Sequence, residues 1–394
     1  MSVELSSKNV ALLAKNETTD GVDASPAAAN AVLLRSLTGK TLEGQTISLD
    51  YLRNYFGASP KLLVQKGSSM SFACDIAGSG TAGTAPGWDA LLRGCGFVGA
   101  TQAALTGAAQ AATATTITLV VGAPATDDLI CGLPITITGG TGNGSVGWVK
   151  DYNGTTKVAT VWGWSGTTPA AASTYSIPAF YFYKPISTSF EGTSLYRTID
   201  TLLFKSLSSK GNCAWNLSAN EAPSMNFDYQ GTYAAPTDGG GAITTDLTPW
   251  KDPVAVNTVN TFGYFMNMPM NGSSTGTIGL NVKSVNIDAG VAVARRSLIG
   301  VDKIKITDRQ AKGQIVVDAV TVANKAVHTY LENLSNDPML ITHGTTAGNR
   351  FSIFAEKVTI DDIQDGEDTG TAIWTIPFTL NPIAANTEMR IVCF

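Results

Sequence analysis

"GASPKLLVQKGSSMSFACD", residues 57–75, and "GVDKIKITDRQAKGQIVVD", residues 300–318, decide how the chain is read. Each reads as strand, turn and strand. Laid together without a gap they share few letters, yet Gly57 meets Gly300, Leu63 meets Ile306, Phe72 meets Ile315, Cys74 meets Val317 and Asp75 meets Asp318. Matching positions in two distant hairpins predict one β pattern used twice in the chain.

The neighbours of each hairpin repeat as well. After the first comes "TAPGWDALLRGCGF", residues 84–97, with Thr84 as a candidate N-cap and Pro86 near the first turn. Trp88, Leu91, Leu92 and Cys95 share one face, and Gly94 and Gly96 stop the helix. After the second, a helix is expected from Asp318, with Val320, Ala323, Val327, Leu331 and Leu334 at near-helical spacing. Alternating strands follow in both cases. Within the first half, residues 101–179 carry only Asp127, Asp128, Lys150, Asp151 and Lys157 as charges. Their short strands and the Asn153-Gly154 turn signal predict a small all-β module inserted into a host loop.

The expected class is therefore mainly β with short helices. Two tandem β-sandwich or barrel-like domains each carry a flanking helix, and a small all-β module is inserted in the first. Residues 1–100 with 180–240 make the first domain, its first 40 residues an extended arm. Residues 101–179 are the insert, 241–256 a linker and 257–394 the second domain.

Composition narrows the function. With 394 residues there is ample chain for real cores. Charged residues are only 14% and the formal charge is −5, which argues against holding nucleic acid by neutralising its phosphates. The five cysteines, Cys74, Cys95, Cys131, Cys213 and Cys393, are scattered and lack CxxC spacing. They read as buried hydrophobes of a chain made in a reducing compartment, not as a disulfide or zinc framework. The first residues lack a signal-peptide core, and no run approaches the ~20 apolar residues of a membrane helix. The expected chain is soluble and made in the cytosol.

Three motifs tempt a chemical reading. "GSGTAG", residues 78–83, is a literal GxGxxG, but no parallel βαβ strand follows it and no ribose-binding acid stands at the right distance. It reads as a loop that frees the chain to turn. "DDIQDGED", residues 361–368, fails the calcium-loop register at Ile363 and reads as a solvated hairpin tip, or as negative potential on an oligomer surface. His328 and His343 have no ligand spacing and no nucleophile motif beside them. Tyr181, Phe182, Tyr183, Trp215, Phe227 and Tyr229 alternate in strands without the interleaved cations of a base-stacking platform. No catalytic, cofactor or metal residue is assigned.

The residues do carry a resemblance. "NYFGASPKLLVQKGSSMSFACDIAGSGTAGTAPGWDALLRGCGF" closely resembles the hairpin–helix segment of tail tube proteins of long, flexible-tailed bacteriophages (siphophages). Residues 211–238, 295–319 and 340–358 are similar to later segments of the same proteins. The resemblance implies a β-sandwich or barrel-like sheet with a flanking helix, ring assembly, and stacking of rings into a hollow tube through which phage DNA leaves the capsid. It also implies the partners: copies of the chain itself, the tape measure protein and other tail proteins, and DNA passing without specific binding, with no membrane. The expected place is the virion tail, after synthesis in the bacterial cytoplasm.

Two further expectations follow from the residues. If each chain supplies two tube domains, three chains complete a pseudo-hexameric ring by edge-strand pairing. Leu63, Phe72, Ile306 and Ile315 mark the assembly hairpins, and Asp361, Asp362, Asp365, Glu367 and Asp368 an acidic lumen or inter-ring loop. The insert decorates the outside. The alternatives are another structural component (distal tail, tail terminator or capsid decoration) and a carbohydrate-binding adhesin using Trp148, Trp162 and Trp164 of the insert. A nucleotide enzyme built on residues 78–83 comes third.

Overall fold

The computed structural model describes residues 4–239, 243–270 and 279–394. Strand takes 51% and helix about 4%, so the apolar faces must be buried sheet against sheet with the helices as plugs. In chain order the first elements are β1 (Val10–Asn16), a 3-10 turn (Ala28–Asn30), β2 (Ser36–Ser48), β3 (Lys61–Asp75), α1 (Asp89–Gly94) and β4 (Phe97–Gln102). Seven short strands follow: β5 (Leu105–Ala108), β6 (Ala111–Ala112), β7 (Thr116–Thr118), β8 (Pro134–Gly139), β9 (Val146–Asn153), β10 (Val158–Trp164) and β11 (Thr174–Ile177). Then come β12 (Phe180–Pro185), β13 (Thr193–Ile199), β14 (Leu202–Ser218), β15 (Ser224–Tyr233) and β16 (Thr237–Asp238). The remaining elements begin with β17 (Thr261–Phe265), β18 (Met268–Met270), β19 (Val282–Asp288), β20 (Val291–Leu298), β21 (Val301–Arg309) and β22 (Lys312–Asp318). They end with α2 (Val327–Glu332), β23 (Asp337–His343), β24 (Phe351–Ile360), β25 (Gln364–Asp368), β26 (Thr371–Leu380) and β27 (Arg390–Cys393).

These strands form sheets of eighteen, seven and two strands, with a curled half-barrel among them. The main antiparallel run is β2–β3–β15–β14–β19–β22–β26–β25. A second run, β4–β12–β27–β24–β23–β17–β18, packs near it and is tied to it by pairing of β24 with β26. One core cluster joins both runs and both halves of the chain, with Phe72, Trp88, Trp215, Ile315, Val327 and Ile391 among its members.

Several local expectations change. Neither 57–75 nor 300–318 is a hairpin: Lys61–Asp75 is one continuous strand whose antiparallel partners are β2 and β15, and β21 pairs with β20 while β22 pairs with β19 and β26. The first 40 residues do not form a loose arm: β1 pairs with β13 from Val10↔Ile199 to Asn16↔Thr193 and buries Leu12 and Leu13. Helix α1 starts at Asp89, with Trp88 rather than Thr84 at its N-cap. No helix starts at Asp318, because β22 continues its ladder with β26 as far as Asp318↔Ile373; α2 begins only at Val327. Residues 243–256 form a packed strap: Trp250 is buried and its Nε1 donates to the Ala31 carbonyl at 2.9 Å. Residues 240–242 of the expected linker lie outside the described residues.

The seven-stranded sheet runs β5–β11–β8–β9–β10–β7–β6 around Ile130, Leu133, Ile135, Val149 and Ile177. Its Asn153-Gly154 pair does not make a two-residue turn. The Asn153 side chain instead caps the amides of Thr155 and Thr156 (3.0 and 2.8 Å), and Lys157 closes the turn at φ +62°. The chain leaves the main sheet after β4 and returns at β12, where Gln102 and Phe180 are register partners.

Candidate assembly surface

The seam between the two halves of the main run sets the pattern. Along β14 the side chains alternate, so Trp215 and Leu217 face the core while Asn216 faces out; β19 answers with Val285 and Ile287 inward and Asn286 outward. The register is Trp215↔Ile287, Asn216↔Asn286 and Leu217↔Val285. All four apolar side chains are buried. On the outer face the Asn286 amide donates to the Asn216 carbonyl oxygen, and Asn212 donates to Asp288 at 2.7 Å.

The two ends of that run differ from its middle. Among the described residues, β2 pairs only with β3 and β25 only with β26. Ser36, Thr38, Gly39 and Lys40 of β2 are exposed, as are Gln364, Asp365, Gly366 and Glu367 of β25. Both are edge strands, the position from which backbone donors and acceptors can pair with another strand; on β2 the Arg197 guanidinium already donates to the Gly39 carbonyl (3.3 Å) and to the Thr41 hydroxyl (2.9 Å). Arg35 at the foot of β2 is ion-paired with Asp75, and Lys40 lies beside Glu43 (3.7 Å).

Each half also projects a two-stranded arm. Arm β20–β21 bends back against β14 and β15, buries Ile304, and sends Arg295 to the Lys66 carbonyl. Ile306 on this arm approaches Gly96 just after α1. Gly96 has φ +82°, and a Cβ there would lie 3.1 Å from Ile306 Cδ1. The tip of arm β20–β21 leaves Leu298, Ile299 and Val301 exposed, and the outer part of arm β2–β3 displays Ile47, Tyr51, Leu52, Tyr55, Phe56 and Leu62, with Ile299, Leu52 and Phe56 fully exposed.

The residues singled out from sequence fall in different places. Phe72 is 3% exposed and stacks on Phe227 and Tyr229 (5.4 and 5.7 Å), and Ile315 is fully buried, so both belong to the core. Leu63 and Ile306 lie on the arms, both half-buried. The acidic run does not form a hairpin tip: Asp361 and Asp362 precede β25, Asp365, Glu367 and Asp368 lie in it, and the tip is Thr369 and Gly370. Asp361 accepts from the Thr379 hydroxyl (2.8 Å) and Asp368 pairs with Lys283 (2.8 Å). The basic residues at the β2 edge, Arg35 and Lys40, were not singled out from sequence, since lone basic residues in a polar strand carry no periodic signal.

The tempting motifs have structural partners. Gly78 donates its amide to Asn349 Oδ1 (2.7 Å) and Gly80 to the Gly348 carbonyl (3.0 Å), so the GxGxxG loop is pinned to the second half of the chain. A Cβ at Gly78 would stand 2.1 Å from the Gly348 carbonyl oxygen, which fixes glycine there for close approach. His343 Nε2 donates to the Val254 carbonyl (2.9 Å), so Nδ1 accepts from the Thr261 hydroxyl (2.9 Å); burial holds the ring's pKa below its usual value. The His328 ring meets the Trp374 ring edge to face.

The insert's tryptophans are engaged within the chain. Trp162 stacks on Tyr264 (4.6 Å, 4°) and donates to Asn267 Oδ1, Trp148 packs on Phe262 and Phe394, and Trp164 is buried. Beside this contact lies a cleft of about 390 Å³ lined by Asp128, Asp151, Asp337 and Glu356, with Lys150 at its wall. Burial first, and Asp128 next to it, raise Glu356 to about 7. Among the described residues no group of three or more His, Cys, Asp or Glu is arranged to hold a metal ion. No family model matches the chain, and no curated protein sequence matches it.

Proposed function

We propose that the chain is a structural subunit whose copies close into three-membered, pseudo-hexameric rings and stack as a tail tube of the siphophage kind, the conduit for DNA ejection. The observation that carries this reading is the order of the main run. β2–β3–β15–β14 and β19–β22–β26–β25 are the same pairing order written twice, joined edge to edge at β14–β19. Each set is one tube domain in this reading. Because the eight strands alternate in direction, β25 of one copy runs antiparallel to β2 of the next. Such a head-to-tail contact either closes a ring or runs on without end.

The remaining features support the same reading. Weak net negative charge leaves DNA unattached to the wall of a channel. The insert sits on the outside of the ring, since a sheet of its size would obstruct a bore. The partners of the assembled tube are its own copies, the tape measure protein and other tail proteins.

Negative-stain microscopy of the purified protein with mass measurement of the smallest ring tests it. Open-ended hollow tubes built of three-chain rings are expected. Single rings that never stack would move the chain to a tail terminator, distal tail or decoration role. Rings of six chains would end the pseudo-hexamer, and a protein that stays monomeric at high concentration would end the ring.

A further inference from the structure

We infer that β2 of one copy pairs with β25 of a second copy in the register that β19 and β14 adopt within the chain, so that Lys40 stands opposite Gln364, Thr38 opposite Gly366 and Ser36 opposite Asp368. The inference deepens the ring reading above and rests on its head-to-tail contact. It fixes which residues meet.

The register follows from strand partners already present. Phe72 and Ile315 occupy equivalent places: Phe72 lies between Leu37 and Phe227, and Ile315 between Val285 and Ile376. One strand further, Trp215 stands opposite Met225 and Asp365 opposite Trp374. Met225 and Trp374 in turn face Cys74 and Val317, another matched pair. Asp365 therefore takes the place of Trp215. On the other side Ile287 faces Gly313 as Gly39 faces Met70, so Gly39 takes the place of Ile287. Since Trp215 pairs with Ile287 inside the chain, Asp365 of one copy pairs with Gly39 of the next, and the remaining partners follow.

Charge and shape identify a second copy as the occupant. Neighbours two residues off the opposite position lie within reach of long side chains. With the register carried one residue before β2 and two before β25, Arg35, which is ion-paired with Asp75 in its own chain, comes within reach of Glu367 of the next copy, and Lys40 within reach of Asp362. Pairing β25 with another β25 would instead set acid against acid, so the edges are complementary to each other but poorly suited to themselves. The arms agree with this register. Ile306 rests near Gly96, the left-handed residue after α1, and the left-handed residue after α2 is Leu334, at φ +46° and 63% exposed. Leu63, in the place of Ile306, then meets Leu334 of the neighbouring copy.

Cysteine pairing in the full-length protein tests the register. All five native cysteines are buried, which keeps the background low. Two double variants, Thr38→Cys/Gly366→Cys and Leu37→Cys/Glu367→Cys, are oxidised under assembly conditions. Adjacent pairs of an antiparallel ladder alternate in spacing, so one of the two offers the closer geometry for a disulfide. At least one is expected to give covalent trimers on a denaturing gel, while Thr38→Cys/Asp362→Cys, slipped by four residues, gives none. Melting curves matching the unmodified protein show that the variants fold. Rings that form without this cross-link, or with only the slipped one, overturn the register and leave the ring reading intact. Covalent dimers from Gly366→Cys alone mean that β25 pairs with itself, which also overturns the register. Cross-linked open ladders keep the register and refute three-fold closure. Absence of both rings and cross-links overturns both.

Discussion

Trp215, Leu217, Val285 and Ile287 fill the core face of the seam inside the chain, whereas Asp365, Glu367, Leu37 and Gly39 hold the equivalent places on its two free edges. The inner seam is part of one hydrophobic cluster and forms with the fold. The outer edges are mostly polar where they are exposed, with Ser36, Thr38 and Lys40 on β2 and Gln364, Asp365 and Glu367 on β25. Burying the four inner side chains makes the two halves one folding unit. A charged edge instead gives a contact whose strength depends on its partner and on salt.

The contrast breaks most sharply at Trp215. Trp215→Ala is expected to cost about 3–5 kcal/mol, the usual price of emptying a fully buried aromatic site, in denaturant unfolding of the unassembled chain. A loss below about 1 kcal/mol would show that the inner seam contributes little to folding. Trp162→Ala comes next, at roughly 1–3 kcal/mol, because its ring is only half-buried. Hydrogen exchange should rise in the seven-stranded sheet and around Tyr264 while β14 and β19 keep their protection.

Glu356 gives a smaller effect with a definite sign. Its carboxyl titrates at about 7 in the folded chain, above the ordinary 4.5, so the native state holds this proton more tightly than the unfolded one. Its stabilising contribution is complete below about pH 4.5 and is lost as pH rises through about 7. Glu356→Gln should therefore raise the melting temperature at pH 8, by roughly 1–2 °C given its partial exposure to solvent, and change little at pH 4.5. An equal gain at both pH values would remove titration as the cause. Lys40→Glu should change the stability of the isolated chain by less than about 0.5 kcal/mol, yet weaken ring formation in mass photometry. Adding Asp362→Lys to the same chain should restore rings; failure of that rescue would remove the Lys40–Asp362 pair.

The strands with one face in the core were readable from sequence, and the polar edge strand β25 was not. Phe72, Cys74, Phe227 and Tyr229 alternate with polar residues because one face of each strand enters the core; that alternation marked the repeated strands, but not their partners, since neither 57–75 nor 300–318 folds back on itself. In β25 only the preceding Ile363 touches the core, so the segment reads as a solvated turn. The spacing from Val320 to Leu334 suggested a longer helix than exists, because the β22–β26 ladder holds Asp318 in extended backbone before the chain can wind. The glycines at 78–83 gave no hint of Asn349 and Gly348, which lie far along the chain. The candidate surface was the least readable part, since edges are defined by the partner they lack.

The pairing of Gln102 with Phe180 has a practical consequence. The chain departs and returns about one strand spacing (~5 Å) apart, the geometry of a display port. A foreign module whose ends lie equally close could be grafted there without cutting a strand of the main sheet. Tyr264, Phe262, Phe354 and Phe394 set the condition, because Trp148 and Trp162 lie over them. A cargo without aromatic groups of its own would leave a greasy floor bare, so a usable graft keeps those two indoles or recolours the floor with polar side chains.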